Sequence, residues 1–296
     1  MKRRREKLIS NVIRVAGSSS ILFILLIFFF LMREGLPTLS EVSLKDLFST
    51  RWYPIEDLYG ILPLLSGSLI VTTLSILIAL PLGVGTAIYL GEIAPQKINA
   101  ILKPTIEILA GIPSVVLGFI GILLLSPFMR ETLNLPTGLT ALTGALLLAL
   151  ISIPTIVSVA EDALYAVPKT YKDAAYALGA SQWQVIWGVV LPAARSGILT
   201  AVMLGIGRSL GETMAVMMVT GNAPTTFSGF NSFVAPVRTM TATIASEMGE
   251  VASGSTHYHV LFFIGIILLV FSLIINISSS TNLAKQSAKS RAQVVS

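Results

Sequence analysis

The apolar residues of this chain are gathered into runs long enough to cross a bilayer, and no other feature constrains its fold as much. A helix needs about 20 mainly apolar residues to cover about 30 Å of hydrocarbon. Six stretches qualify, at roughly 16–32, 65–93, 105–127, 138–160, 197–220 and 258–280. Hydrophobic residues make up 54% of the chain and charged residues 12%, against about a quarter charged in a soluble domain. Lipid must therefore solvate most of the surface, and the expected fold class is an all-α integral membrane protein with six transmembrane helices.

Topology follows from where the positive charges fall, because cytoplasmic segments near a span are enriched in Lys and Arg. The first run is preceded by Lys2, Arg3, Arg4, Arg5 and Lys7. It is longer than the apolar stretch of a signal peptide, and 31–34 offers no small-residue cleavage site, so a retained anchor is expected. With Arg14, Lys97, Lys103, Lys169, Lys172, Arg195, Lys285, Lys289 and Arg291, fourteen of the twenty basic residues fall on one side. Arg33, Lys45, Arg51, Arg130 and Arg238 fall on the other. Six spans with both termini in the cytoplasm result, and the net charge of +5 is explained by topology without nucleic acid.

Three connecting segments stand out. The external segment 33–64 carries Glu34, Glu41, Asp46, Glu56 and Asp57 with Trp52 and Tyr53. The internal segment 161–196 alternates polar residues with Ala, Leu, Val and Trp and has room for two short helices joined at Gly179. A structured loop of that length usually meets a partner. In the external segment 221–257, residues 237–251 are weakly helical and fit a re-entrant or interfacial piece.

The chemistry-bearing residues are few. No Gly-rich phosphate loop ending in Lys-Ser or Lys-Thr occurs, so ATP hydrolysis by this chain is not expected. Absence of cysteine removes disulfides and thiolate metal sites. His257 and His259, two residues apart on a helix, diverge rather than converge on a metal. Gly207 and Gly211 form a G-x-x-x-G pattern that suits close helix packing.

Arg208 and Glu212 lie within the fifth run. A charge at mid-membrane costs about 2.5–3.5 kcal/mol even on insertion scales and normally faces a partner or a water-filled path. At i and i+4 the two would share one helix face and could pair with each other. Alternatively, Arg208 offers a planar fork of donors to an oxyanion while Glu212 accepts a proton. An anion with an ionisable hydroxyl, such as hydrogen phosphate, would suit that pair.

The internal segment carries a more specific pattern. Asp173-Ala174-Ala175 is followed after three residues by Gly179, and after nine more by Val189-Val190-Leu191-Pro192. This resembles the EAA loop of ABC importer permeases, with Asp in place of Glu and Val in place of Ile. Further strings are similar to the PstC family of phosphate importer permeases: Trp52-Tyr53-Pro54, the stretch 81–90, Gly111-Ile112-Pro113-Ser114, and 207–216 with Met214-Ala215-Val216. The resemblance runs over nearly the whole chain.

What the resemblance implies is a type I ABC importer permease, with a MetI-like core of five helices at 65–281. A segment 1–64 holding one N-terminal helix precedes it, and a cytoplasmic tail 282–296 follows. It implies that Asp173, Ala174, Ala175, Gly179, Leu191 and Pro192 build a coupling loop for a separate ATPase, and that Arg208 and Glu212 matter for phosphate passage. The implied partners are a PstA-type second permease, two PstB-type ATPase subunits and a PstS-type external phosphate-binding protein. ATP and Mg would be used by the ATPase, and this chain would bind no cofactor. Other readings stay open on the residues alone: a permease for sulfate, molybdate or tungstate, an ion-driven secondary transporter, or a membrane protein that only reports phosphate status.

Overall fold

The computed structural model describes the backbone of residues 2–295 and the side chains of 9–275 and 277. The basic residues Lys2 to Lys7, and Lys285, Lys289 and Arg291 in the expected cytoplasmic tail, lie outside the described side chains.

Six helices are long and apolar enough to span a membrane, running Ile9–Glu41, Leu62–Ile93, Ser114–Thr132, Ala141–Tyr165, Gln182–Gly211 and Thr256–Ile275. In chain order, α1 (Lys2–Gly35) is followed by the short helices α2 (Thr38–Glu41) and α3 (Leu44–Leu47) and by a hairpin of β1 (Trp52–Tyr53) with β2 (Leu58–Tyr59). Then come α4 (Leu62–Ile88), α5 (Gln96–Gly111), α6 (Ser114–Ile120), α7 (Ser126–Thr132) and α8 (Ala141–Tyr165). The chain continues through α9 (Lys169–Ala177), α10 (Gln182–Val185), α11 (Leu191–Gly211), α12 (Met214–Val219), α13 (Met240–Glu247) and α14 (Thr256–Val295).

Two of the expected runs divide differently. The stretch 105–127 is not one helix, because Ile112 turns extended (ψ 128°) ahead of Pro113. A residue before proline is pushed out of the helical region, so α5 ends and a new helix starts. α5 buries none of its residues and stays apart from the third span. The internal segment does hold a joint at Gly179, whose φ of +82° suits a residue without a Cβ. Only α9 is short, however: α10 runs on through a π-helical turn, Ile186–Val190, into α11.

α8 is the central helix, packed between α4 and α11. Membrane helices gain little from hydrophobicity against each other and associate through close van der Waals contact at small residues. Ile156 of α8 shows this on both sides. A Cβ on Gly83 of α4 would come within 2.8 Å of its Cγ2, and one on Gly205 of α11 within 2.7 Å of its Cδ1. On α11 the buried positions are Ala194, Ala201, Gly205 and Ser209, a seam of small residues spaced by seven, four and four.

Gly207 and Gly211, where close helix packing was expected, lie off this seam within the chain. A Cβ at either would meet nothing within 4 Å, because both lie to one side of the seam. They line instead an open apolar groove against Ile24 and Phe28 of α1 and Leu268 and Phe271 of α14. α1 itself is lipid-facing and touches the bundle through α14, where Phe30 meets Phe262 edge-on at 5.4 Å.

Candidate translocation site and coupling surface

Ser75 sits at the midpoint of α4 and Ser152 close to that of α8, and both are fully buried. The hydroxyl of Ser209 lies 2.9 Å from that of Ser152 and 3.3 Å from that of Ser75. Arg208, its chain neighbour, is therefore level with the middle of the central helices. The side chain is exposed on the chain's own surface, and it makes no hydrogen bond or ion pair among the described residues.

Glu212 is elsewhere than a continuous helix would put it. α11 stops at Gly211, Glu212 is extended (ψ 126°), and the helix resumes at Met214 as α12. A carboxylate oxygen of Glu212 accepts from the backbone N–H of Ala215 at 3.3 Å, and its carbonyl accepts from the Thr241 hydroxyl at 3.2 Å. The i, i+4 ion pair, one of the two readings open from the sequence, is not made among the described residues: the break gives Glu212 a backbone N–H in the first turn of α12 to satisfy, and Arg208 keeps its donors free. An interrupted helix at membrane depth is tolerated only where protein or water can satisfy the freed backbone groups.

At the end of the bundle that carries α9, Tyr171 and Tyr176 of α9, Leu178 just after it and Trp183 of α10 are exposed, Leu178 at 90%. Asp173 and Ala174 face outward, while Ala175 and Leu191 pack on the inner core cluster. Pro192 follows the π-helical turn in the first turn of α11, where its missing N–H costs little. The resemblance thus marks two layers, an exposed one at Asp173–Gly179 and an anchoring one at Leu191.

Residues that the sequence reading passed over fix this surface to the bundle. Lys172 donates to Glu92 at 2.6 Å, and the Gln182 amide donates to the Glu92 carbonyl at 2.9 Å. Asn99 of α5 donates to the Leu90 carbonyl and the Tyr165 hydroxyl, and Lys103 pairs with the buried Glu161 at 3.3 Å. Glu92 lies on the second run and Glu161 just past the fourth, and a carboxylate so placed was itself a signal that a cation had to come from elsewhere.

At the outer end, Glu247 of α13 gathers three donors. Arg238 reaches one carboxylate oxygen at 2.7 Å, Trp52 donates to the same oxygen at 3.2 Å, and His257 lies 2.8 Å from the other. His259 turns instead to Glu41 at 2.9 Å, so the two histidines serve different carboxylates. Among the described residues no group of acidic, histidine or cysteine side chains could hold a metal ion.

A helical bundle of this architecture, with a broken helix beside an arginine that has no partner among the described residues, has the fold of ABC importer permeases. Solved structures share the fold: the MetNI methionine ABC transporter at a TM-score of 0.56 and 20% identity, covering 76% of this chain and 94% of that one. A bacterial ABC transporter involved in import of the acidic polysaccharide alginate matches at 0.59 and 14% identity, over 94% of this chain and 99% of that one. The chain belongs to the family of binding-protein-dependent transport system inner membrane components, whose profile matches residues 79–281, and its relatives place it with the PstC permeases. A probable ABC transporter permease protein, YqgH of Bacillus subtilis, is 42% identical over 77% of this chain and 74% of its own length. The phosphate transport system permease protein PstC of Mesorhizobium japonicum is 37% identical over 80% and 77%. As a multi-pass permease of this family the chain works with the other components of an ABC importer.

Proposed function

We propose that this chain is the PstC-type permease subunit of an ATP-driven importer of inorganic phosphate, and that Arg208 lines the translocation path. The observation that carries the reading is Arg208 itself. It is a cation level with the middle of the bundle, turned to the open side of its helix and left without a partner by the break that takes Glu212 away. Burying a lone guanidinium costs several kcal/mol unless an anion or water meets it, and its fork matches a phosphate oxyanion. The curated relatives named as phosphate permeases support this substrate over sulfate, molybdate or tungstate.

On this reading a PstA-type permease completes the path across the open face of α11. Two PstB-type ATPases bring the ATP and Mg chemistry that this chain does not carry out, and a PstS-type protein delivers phosphate from outside. The exposed surface of α9 docks on one ATPase, and both termini are cytoplasmic. Residues 65–281 form the permease domain, with 1–64 and 282–296 outside it. Glu212, held at the start of α12, tempers the field around Arg208, and the weak transient site leaves release fast.

The test is ATP-dependent uptake of labelled phosphate by vesicles holding the complete importer and its binding protein, with sulfate as competitor. Native uptake is selective for phosphate. Arg208→Ala assembles but loses transport by about 100-fold or more, and Arg208→Lys recovers part of it. Normal uptake by an assembled Arg208→Ala complex would remove Arg208 from the path, and absence of phosphate uptake by the native complex would sink the substrate assignment.

A further inference from the structure

Ser209 is one residue from Arg208, so the two side chains point about 100° apart around the helix axis. Whatever fixes the direction of Ser209 therefore fixes that of Arg208. Ser209 is 3% exposed, and both hydroxyls that meet it, Ser75 and Ser152, are 0% exposed. Around this level the three helices offer apolar or small side chains: Val71 and Ala79 on α4, Leu148 and Ile156 on α8, Ala201 and Gly205 on α11. Small residues at Ala201 and Gly205 let α11 approach closely and already favour this face, because a side chain at 205 would run into Ile156. The three-hydroxyl node adds hydrogen bonds, whose directionality narrows the rotation further than van der Waals contact does.

We infer that Ser209, held between Ser75 and Ser152, is the positioning residue that sets the rotation of α11 and so aims Arg208 at the open side of the bundle. The three hydroxyls do not touch the substrate. Their part in transport rests on the proposed place of Arg208 in the path, but their effect on its direction does not. Replacing all three by alanine leaves no orphaned hydroxyl and keeps the seam small, so the bundle has every reason to assemble. What it loses is the directional lock.

The chain has no cysteine, which makes the direction of residue 208 measurable. In the complete importer, reconstituted in lipid, a thiol at Arg208→Cys is labelled with an anionic methanethiosulfonate and read as mass added to this chain. The same is done in the Ser75→Ala/Ser152→Ala/Ser209→Ala background. The labelling rate at 208 is expected to fall by about tenfold as α11 populates other rotations, while a control thiol at Ile55→Cys, exposed between β1 and β2 and outside the spans, keeps its rate. An unchanged rate at 208 overturns the inference. If the triple variant fails to assemble, Ser152→Ala alone, which keeps the Ser75 contact, must still slow labelling, and an unchanged rate there overturns it equally. Slowed labelling with native phosphate uptake by the cysteine-free triple variant would uphold the positioning role and sink the place of Arg208 in the path.

Discussion

The outer and inner ends of the bundle are finished in different ways. Outside, Glu247 draws together the β-hairpin through Trp52, the approach to α13 through Arg238 and the start of α14 through His257. The rings of Trp52, Tyr59 and His257 meet edge-on or tilted around that node, and Leu47, Ile61, Leu64 and Leu261 pack in the same apolar cluster. Inside, the ion pairs Lys172–Glu92 and Lys103–Glu161 hold the coupling segment firmly, yet its apolar side chains are left in the open. The outer end is knit together by this charged node, although Ile55 and Phe230 stay nearly as exposed there, at 85% and 87%, as Leu178 is at the other end. The end at α9 is held by ion pairs yet leaves Leu178 and Trp183 in the open, as the docking surface of the proposed function would require.

Breaking the unfinished end has the largest expected effect. Leu178→Asp puts a charge on the most exposed apolar position of the coupling surface, where it disturbs the fold little but costs a docking contact. Uptake should fall about 100-fold with thermal stability nearly unchanged. The finished end should respond the other way. Glu247→Ala leaves Arg238 and His257 without their shared carboxylate and should destabilise the detergent-solubilised chain by about 2–3 kcal/mol, read as a lower Tm, with a smaller loss of uptake in what remains folded.

Lys172→Met tests whether rigidity at the inner end matters apart from docking. It frees Glu92 but keeps the exposed face, so about 1 kcal/mol of stability and a few-fold drop in uptake are expected; an uptake loss as large as that of Leu178→Asp would mean that Lys172 itself docks. The smallest effect concerns pH at the outer end. Burial first, then the hydrogen bond to Asp57, push the Tyr59 phenol up to about 12. A folded-state value above the unfolded value of about 10 gives a contribution intact below pH 10 and lost between about 10 and 12. Tyr59→Phe should flatten that part of the stability profile.

Much of this was legible from residues alone. Long apolar runs need no tertiary information to declare spanning helices, and the spacing from Asp173 to Pro192 pointed to the permease family that the relatives show. What escaped were features set by geometry. Gly207 and Gly211 looked like packing residues because glycine is conspicuous, but the seam runs through Ala201, Gly205 and Ser209, two residues out of step. Arg208 and Glu212 looked like one face because nothing in Gly211-Glu212-Thr213 announces a helix end as proline does at Pro113. The Lys172–Glu92 and Trp52–Glu247 contacts join positions far apart in the chain, and no local pattern encodes such pairs.

The π-helical turn at Ile186–Val190 has a consequence for how the two working parts are phased. A π turn carries one residue more than an α turn over the same length of axis, so it offsets everything after it by about 100°. It lies between the docking surface around Leu178 and Trp183 and the side chain of Arg208, and so acts as a spacer in angle rather than in distance. Deleting Gly188, where a Cβ would meet nothing within 4 Å, would let the turn close as an ordinary helix. Both ends could then keep their local structure while losing their alignment, leaving a permease that docks its motor yet points its arginine the wrong way.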